Sequence, residues 1–299
     1  MAGLCEGRVV VVTGGARGIG REHCLLFAKE GAKVVVNDLG GDVAGDGGEL
    51  GPAQAVAEEI KAMGGEAVAN GDDVSDWDGA GNMIQQAVDT FGGLDVLVNN
   101  AGILRDKMMF NMTIDEWDAV IKVHLRGTFC PMRHAASFWR QNAKDGNAND
   151  ARIINTTSIS GLYGNPGQLN YAAAKAGIAA MTVVASRELA RLNITCNAIS
   201  PGAMTRMTEN LMPKRDLAAD QFDSQDPANI SPLVVWLGSA ESKDVSGRVF
   251  ETMNGRFGIY NGWERAGRTD KIDRRYDPKE LGPVVDDLLS QAKPLQKVG

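Results

Sequence analysis

Residues 8–20 read RVVVVTGGARGIG, a β-branched apolar run that passes directly into a glycine-rich turn. The run predicts a buried strand, and residues 17–30 predict the helix that follows it. In such a turn the first glycine allows a tight bend, the second lets the backbone approach a pyrophosphate, and the third lets the helix pack against the strand. The helix N-terminus adds unpaired N–H groups and partial positive charge, so the segment predicts a dinucleotide cradle. Its candidate cofactor residues are Gly14, Arg17, Gly18, Ile19 and Gly20.

Strand-like and helix-like segments alternate along the rest of the chain. With 299 residues, 43% of them hydrophobic, the chain is long enough for one large core. The alternation predicts an α/β fold, a single Rossmann-type doubly wound domain in which helices cover both faces of a mostly parallel sheet. Further strands are predicted at residues 33–37, 66–70, 94–98, 152–156, 194–199 and 248–251, and further helices at residues 54–63, 79–91, 115–139 with an interruption at Pro131, and 172–192.

Two stretches break this rhythm. Residues 39–51 (LGGDVAGDGGELG) are glycine-rich and acidic. They are longer than an ordinary connection between a strand and a helix, so they predict a flexible surface insertion. Residues 262–299 follow the last predicted strand and are too short for a core of their own. With a short helix at residues 281–289, this extension is expected to pack on the domain of residues 1–261 or on a neighbouring subunit.

An acidic residue, Asp38, follows the second predicted strand, eighteen positions beyond Gly20. A carboxylate at this place can accept hydrogen bonds from the adenosine ribose hydroxyls, and it repels a 2′-phosphate. Arg17 has the opposite effect, because a basic residue in the glycine turn can favour that phosphate. Asp38 is expected at the ribose itself, so the sequence predicts NAD rather than NADP as the cofactor.

Charge, cysteines and histidines argue against several other classes of protein. The formal net charge of −7 disfavours contact with a phosphate backbone, so nucleic acid is not an expected partner. The four separated cysteines form no CxxC pair, and the three histidines lack metal-ligand spacing, so no metal site is predicted. No apolar run reaches the roughly 20 residues of a membrane span. The first residues lack the features of a signal peptide, so reduced thiols and a cytoplasmic location are expected.

Tyr171 and Lys175 are four positions apart on one predicted helix, so their side chains share a face. A free tyrosine has a pKa of about 10 and is a poor base at neutral pH. An ammonium group beside it is expected to lower that pKa, so that Tyr171 exchanges a proton with a substrate hydroxyl while a hydride moves to or from nicotinamide. Ser158 follows a predicted strand and can hydrogen-bond the substrate oxygen. Each residue alone also has an ordinary packing or surface explanation, but together they predict an oxidoreductase.

Five short motifs stand in a fixed order along the chain. They are TGGARGIG at residues 13–20, NNAG at 99–102, Ser158, YAAAK at 171–175 and PG at 201–202. In order and spacing they resemble the short-chain dehydrogenase/reductase family, over roughly residues 7–255. The resemblance implies a seven-stranded sheet and a homodimer or homotetramer. It also implies cofactor contacts from Asp73, Val74, Asn100, Ala101, Gly102, Tyr171, Lys175, Pro201, Gly202 and Met204, in addition to the glycine turn and Asp38.

One position departs from the pattern of that family, whose members usually carry a catalytic asparagine in an N-x-x-G context. The corresponding segment is VHLRG at residues 123–127, and His124 takes the place of the asparagine. A ring nitrogen of His124 can hold the water of a proton relay, or His124 can be a hydrogen-bonded structural residue. Both interpretations remain open, and His124 is a candidate catalytic residue beside Ser158, Tyr171 and Lys175.

Several longer segments resemble one subgroup, the dehydrogenase domain of peroxisomal multifunctional enzyme type 2. They are VVVNDLGGD at residues 34–42, NNAGILRD at 99–106, VHLRG at 123–127 and LYGNPGQLNYAAAK at 162–175. This resemblance implies a (3R)-3-hydroxyacyl-CoA substrate in fatty-acid or sterol side-chain degradation. It also implies a stand-alone, bacterial-type enzyme without the hydratase and carrier domains of the eukaryotic fusion. The alternatives are a hydroxysteroid dehydrogenase acting on free steroids, a 3-oxoacyl-carrier-protein reductase, and a non-enzymatic nucleotide-sensing scaffold.

The segment after the PG motif is rich in flexible apolar side chains. Such residues are typical of a lid that adapts to a bulky lipid or steroid-derived substrate, and equally of ordinary core packing. The residues concerned, within residues 203–222, are Met204, Met207, Leu211 and Met212.

Overall fold

The computed structural model describes residues 2–42, 44–45, 47, 50–205, 221–270 and 274–296, and within them the chain forms eight strands and nine α-helices. The strands are β1 (Val9–Thr13), β2 (Lys33–Asn37), β3 (Glu66–Asn70), β4 (Val96–Asn99), β5 (Ala151–Thr156), β6 (Ile194–Gly202), β7 (Val249–Met253) and β8 (Arg256–Tyr260). The helices are α1 (Gly18–Lys29), α2 (Gly51–Ala62), α3 (Trp77–Phe91), α4 (Ile114–Ile121), α5 (Gly127–Lys144), α6 (Ile159–Tyr163), α7 (Leu169–Leu189), α8 (Ser231–Gly238) and α9 (Leu281–Gln291).

These strands form one sheet in the order β3-β2-β1-β4-β5-β6-β7-β8. Neighbours from β3 to β7 pair in parallel, and β8 pairs antiparallel with β7. The predicted doubly wound, mostly parallel α/β fold is therefore confirmed. The strand order reverses between β1 and β4, which opens a crevice at the carboxyl ends of these two strands.

The seven strands implied by the family resemblance are one too few, because a short hairpin extends the sheet. β7 ends at Met253 and β8 begins at Arg256, which leaves a two-residue loop. Asn254 and Gly255 have φ values of 53° and 71°, and a type I′ turn requires positive φ at both positions. An Asn-Gly pair between two apolar segments is a hairpin signal that could have been read from the sequence.

Two hydrophobic clusters cover the two faces of the sheet. Val10 and Val12 of β1 belong to the cluster beneath α1, α2 and α8, whereas Val9 and Val11 belong to the cluster beneath α3, α5 and α7. Burying a side chain of this size contributes roughly 1.5–3 kcal/mol relative to leaving it exposed. A continuous valine run therefore stabilises a strand that is covered on both sides.

The long helical region predicted at residues 115–139 consists of two helices joined by a wider turn. α4 ends at Ile121, a π-helical turn covers Lys122–Arg126, and α5 continues to Lys144. The predicted interruption at Pro131 is wrong, because this buried proline lies inside α5. A proline there removes one backbone hydrogen bond, while the change of helical register occurs at the π turn, which carries the buried His124.

The described residues beyond β8 lie mostly at the surface. The short helix predicted in the C-terminal extension is present as α9, which has no buried residue. Its docking on this domain or on a neighbouring subunit stays a prediction. Within the described ranges, no helix combines the length and the apolar character needed to cross a bilayer. All four cysteines are free and buried.

Candidate active site

Most of the predicted cofactor residues line one cleft at the carboxyl ends of β1 and β4, where the strand order reverses. Open α/β sheets bind their ligands at this position. The walls also include residues that sequence reasoning did not single out, such as Ile103 and Thr205. The predicted residues found in the walls are Gly14, Arg17, Gly18, Ile19, Gly20, Asp38, Asp73, Val74, Asn100, Ala101 and Gly102.

The glycine turn forms a cradle that larger residues would fill. Gly14 and Gly18 have φ values of 64° and 50°, which residues with a side chain rarely adopt. A Cβ on Gly20 would overlap the carbonyl oxygen of Gly14, and a Cβ on Gly14 would lie 2.8 Å from the Cα of Ala101. The turn therefore presents bare backbone to the cleft beside the N-terminus of α1, as a pyrophosphate site requires. The residues present fit a dinucleotide.

Asn100 links the end of β4 to this cradle by hydrogen bonds. Its side-chain amide donates to the carbonyl oxygens of Thr13 at 3.0 Å and Gly14 at 3.1 Å. The hydroxyl of Thr13 in turn accepts the backbone N–H groups of Asn100 and Ala101, at 2.9 and 3.1 Å. The side chain of Asn100 thus shapes the cradle, which is a more specific role than the sequence motif indicated.

Asp38 lies directly after β2, and its carboxylate is held from two sides. Oδ2 accepts the N–H of Ala16 at 3.0 Å, and Oδ1 accepts the N–H of Gly40 at 2.8 Å. Each carboxylate oxygen can accept a second hydrogen bond, so this fixed group retains capacity for ribose hydroxyls. The guanidinium of Arg17 donates through Nη1 to the carbonyl oxygen of Gly41 at 2.9 Å. Arg17 is therefore tied to the start of the glycine-rich insertion.

The remaining predicted cofactor contacts lie outside the walls of that cleft. They are Tyr171, Lys175, Pro201, Gly202 and Met204. Pro201 and Gly202 end β6 and pair with residues of β7. The N–H of Met204 donates to the carbonyl oxygen of Gln225 at 2.7 Å, so the backbone of this segment is fixed. The contacts of these residues with nicotinamide stay a prediction. Three residues of the predicted lid, Met207, Leu211 and Met212, lie outside the described residues.

The structure brings Ser158, Tyr171 and Lys175 together between the end of β5 and the first turns of α7. Ser158 caps α6, and its hydroxyl interacts with the phenol of Tyr171. α7 begins at Leu169, three residues before the predicted start, so Tyr171 lies in its first turn. Nζ of Lys175 lies 5.4 Å from the centre of the Tyr171 ring and donates to the carbonyl oxygen of Thr156 at 2.7 Å. Their grouping is observed, and their catalytic roles remain a prediction.

Burial opposes charge on both members of the tyrosine–lysine pair. It raises the pKa of Tyr171 to about 12, although the interaction with Ser158 acts in the opposite direction. It also lowers the pKa of Lys175 to about 7. The expected lowering of the tyrosine pKa by Lys175 is not found in this structure, because loss of water disfavours a phenolate and an ammonium alike. Tyr171 is thus a neutral phenol here, the form that donates a proton to a carbonyl oxygen.

His124 is buried between Tyr171 and the loop that follows β4. Its Nε2 lies 2.8 Å from the carbonyl oxygen and 3.1 Å from the amide nitrogen of Ile103, and its ring meets that of Tyr171 edge to face. A Cβ on Gly102 would overlap the imidazole. Burial, assisted by the charge of Lys175, lowers the pKa of His124 to about 3, so the ring is neutral. These contacts support the structural interpretation, while the buried Nδ1, without a partner within the described ranges, leaves the water-holding one open.

Two amide substitutions at His124 separate these interpretations. A glutamine amide reaches the place of Nε2, whereas an asparagine amide matches Nδ1. Because the observed hydrogen bond is made by Nε2 to Ile103, we expect His124→Gln to retain more stability than His124→Asn, by about 1 kcal/mol, and more activity. Urea unfolding and kcat of both variants measure this. Higher activity in His124→Asn than in His124→Gln would instead support a relay water on Nδ1.

Sequence reasoning missed two polar side chains beside this group. Asp106 lies in the loop after β4, and Gln168 immediately precedes α7. Both fall inside segments that carry the family resemblance, but neither belongs to one of the short motifs. Their side chains are joined by a hydrogen bond of 2.7 Å, Gln168 donating to Asp106, which only the three-dimensional approach of the two loops shows.

Comparison with known proteins gives consistent matches over most of the chain. Residues 8–216 match the family described as short chain dehydrogenase. Hydroxyacyl-CoA dehydrogenase ChsB1 of Mycobacterium tuberculosis is 42% identical over 296 residues, which cover 97% of this chain and 91% of that protein. Peroxisomal multifunctional enzyme type 2 of Mus musculus is 44% identical over 260 residues, 87% of this chain but 33% of that enzyme. The solved structure of a short chain dehydrogenase from Mycobacterium avium has a TM-score of 0.88 and 52% identity, with 99% of both chains covered.

Proposed function

The chain belongs to the short-chain dehydrogenase/reductase family, and from this premise we propose that it is an NAD-dependent (3R)-3-hydroxyacyl-CoA dehydrogenase. Membership of this family makes the chain an oxidoreductase that acts on CH–OH groups with a nicotinamide cofactor. The proposal adds that the cofactor is NAD and that the substrate is a CoA thioester. The observation that carries it is the grouping of Ser158, Tyr171 and Lys175 beside a dinucleotide cradle, in a chain that matches a hydroxyacyl-CoA dehydrogenase over 97% of its length. The reaction belongs to the breakdown of fatty acids or sterol side chains.

The chain's own residues bind the substrate oxygen and move its proton. The phenolic oxygen of Tyr171 takes the proton of the substrate hydroxyl, or returns it in the reverse direction. Ser158 donates a hydrogen bond to the same substrate oxygen and fixes its position. The ammonium form of Lys175, one helical turn from Tyr171, stabilises the phenolate. Bound nicotinamide supplies the hydride acceptor.

The proposed preference for NAD depends on Asp38. We expect Asp38→Asn to lower the ratio of kcat/KM with NAD to kcat/KM with NADP at least about tenfold, equivalent to about 1.4 kcal/mol, because the repulsion of a 2′-phosphate is lost. Steady-state kinetics with each cofactor measure the ratio. Arg17→Ala is the control: since Arg17 is engaged with Gly41, the ratio should change by less than about threefold. A selective loss of NADP use in Arg17→Ala would contradict this assignment.

One assay tests the substrate and cofactor together. Purified protein is mixed with NAD or NADP and with (3R)- and (3S)-3-hydroxyacyl-CoA thioesters, free hydroxysteroids or 3-hydroxyacyl carrier protein, and reduced cofactor is followed by absorbance. Turnover with NAD and the (3R)-thioesters is the expected result. Turnover of free steroids alone, or of carrier-protein substrates with NADP, would keep the mechanism but replace the substrate by one of the two alternatives.

The subunit arrangement and compartment are part of the same proposal. A homodimer or homotetramer would use α5 and α7, whose outer faces expose Phe129 and Val184. Association through apolar groups of this kind removes them from water. Light scattering of the purified protein measures the mass in solution, and a monomeric mass at assay concentration would contradict the assembly. A cytoplasmic location is proposed as well.

A further inference from the structure

A polar network with buried Ser160 and Gln168 at its centre joins the loop after β4 to the residues around Ser158. Oδ2 of Asp106 accepts the Nε2–H of Gln168 at 2.7 Å. Oε1 at the other end of this amide accepts the hydroxyl of Ser160 at 2.8 Å and the amide of Asn165 at 2.9 Å. Only 7% of Gln168 and 6% of Ser160 is exposed. Since the amide nitrogen can only donate and the amide oxygen can only accept, these three partners fix the orientation of Gln168.

The network extends to Ser158 and Tyr171, the residues proposed to bind the substrate oxygen and to move its proton. The backbone N–H of Ser160 donates to Oγ of Ser158 at 3.2 Å, and Ser158 interacts with the phenol of Tyr171. Gln168 also immediately precedes α7, whose first turn carries Tyr171. A path of directly interacting groups therefore runs from Asp106 through Gln168 and Ser160 to Ser158 and Tyr171. A change in the orientation of Gln168 would reach both proton-handling groups.

Other hydrogen bonds already attach the loop after β4 to the residues before α7 and to the start of that helix. The N–H of Lys107 donates to the carbonyl oxygen of Gly167 at 2.8 Å. The amide of Asn170 donates to the carbonyl oxygens of Arg105 and Glu116, both at 3.0 Å. Because these bonds do not involve the side chains of Asp106 or Gln168, attachment of the loops does not require the pair. Its substitution should therefore leave the fold intact.

We propose that Gln168 is a positioning residue that fixes Ser158 and Tyr171 for proton exchange with the substrate oxygen, and that Asp106 orients Gln168. This inference rests on the proposed catalytic roles of Ser158 and Tyr171. Gln168 acts through Ser160, by holding the turn that aims the Ser158 hydroxyl. A displacement of about 1 Å in such a group can lower a rate about 100-fold, so we expect a short hydrogen-bond network of this kind to have a measurable effect on kcat.

The titratable groups around Tyr171 provide a second measurement, the pH dependence of kcat/KM. Lys175 faces it from α7, His124 from the π turn, Asp106 from the loop after β4, and the uncharged Ser158 from the end of β5. The negative charge of Asp106 raises the pKa of Tyr171, in addition to the larger effect of burial. Removal of that charge favours the phenolate. In the direction of alcohol oxidation, the rise of kcat/KM with pH should therefore move to lower pH.

The test inverts the hydrogen bond between the two residues. Gln168→Glu replaces the donor that faces Asp106 by a carboxylate, and we expect kcat about tenfold lower with little change in KM, because the two like charges repel each other and displace the side chain at position 168. Asp106→Asn should retain most of kcat and show the shift to lower pH. The double variant Asp106→Asn/Gln168→Glu restores a donor facing an acceptor, so its kcat should return to within about threefold of the wild type. Asp118→Asn, which changes an exposed carboxylate on α4, is the control and should change neither readout.

Thermal unfolding and two additional variants, Gln168→Ala and Tyr171→Phe, distinguish the possible outcomes. Thermal unfolding of every variant shows whether a loss of kcat follows from a loss of fold. Wild-type kcat in Gln168→Ala, or a double variant no faster than Gln168→Glu at equal thermal stability, would overturn the inference and leave the proposed function standing. High activity in Tyr171→Phe would overturn both. A double variant no faster than Gln168→Glu, together with an unchanged pH profile in Asp106→Asn, would remove Asp106 from the positioning role.

Discussion

Tyr171→Phe is expected to lower kcat by about 10²–10⁴-fold, the range that general acid–base catalysis contributes. The substitution removes only the phenolic oxygen, the group that exchanges the proton in the proposed mechanism and that interacts with Ser158. The ring contact with His124, with centres 5.1 Å apart, remains available to phenylalanine. Folding and dinucleotide affinity should therefore stay close to wild type. Steady-state kcat, with cofactor binding measured by calorimetry, tests both parts.

Tyr163→Phe is the matched control for this experiment. Tyr163 ends α6, close in sequence to Ser158, and its ring contacts Tyr260 with centres 5.9 Å apart. It has no contact with Lys175 or His124 among those found in the described part of the chain, so its kcat should stay within about threefold of wild type. Equal loss in both variants would point to general damage at this end of the sheet. Retained biological activity of Tyr171→Phe without turnover would support the nucleotide-sensing scaffold.

The parallel part of the fold could be predicted because its signals are local. A strand buried on both faces needs an uninterrupted apolar run, as in β1 and β2, and a glycine cradle needs its glycines at fixed spacing. The wrong strand number and the misplaced helix interruption have a different origin. β8 depends on the short Asn-Gly turn at residues 254–255. The π turn before α5 carries buried His124, whose ring packs against Gly102, a residue distant in sequence.

The parts of the site that could be predicted are those whose residues lie close together in the sequence. Tyr171 and Lys175 are neighbours on one helix, so their grouping follows from spacing. Asp106 and Gln168 are 62 positions apart and meet only because two loops cross. The direction of the Tyr171 pKa shift was also out of reach, because it depends on how much water the fold removes from the phenol, and no local pattern encodes that.

Lys175→Met is expected to separate catalysis from stability. Loss of the ammonium should lower kcat at least about 100-fold, since stabilisation of the phenolate is lost. Stability should respond in a pH-dependent way, because Lys175 is buried and its pKa falls from the ordinary 10.5 to about 7. Between these values the unfolded chain binds more protons than the folded one, so this lysine makes the free energy of unfolding fall as pH falls. The methionine variant lacks that dependence.

The stability of the variant relative to wild type should therefore increase as pH is lowered from 10 toward 7, by about 1.4 kcal/mol per pH unit within the window, and level off below it. The lost hydrogen bond to the carbonyl oxygen of Thr156 offsets this by an amount that does not depend on pH while the lysine is neutral. Urea unfolding of both proteins at several pH values measures the difference. Lys144→Met, at the exposed end of α5, is the control and should give a difference independent of pH. A flat difference for Lys175→Met as well would mean that the folded protein keeps this lysine charged, and that the phenolate of Tyr171 faces a permanent ammonium at neutral pH.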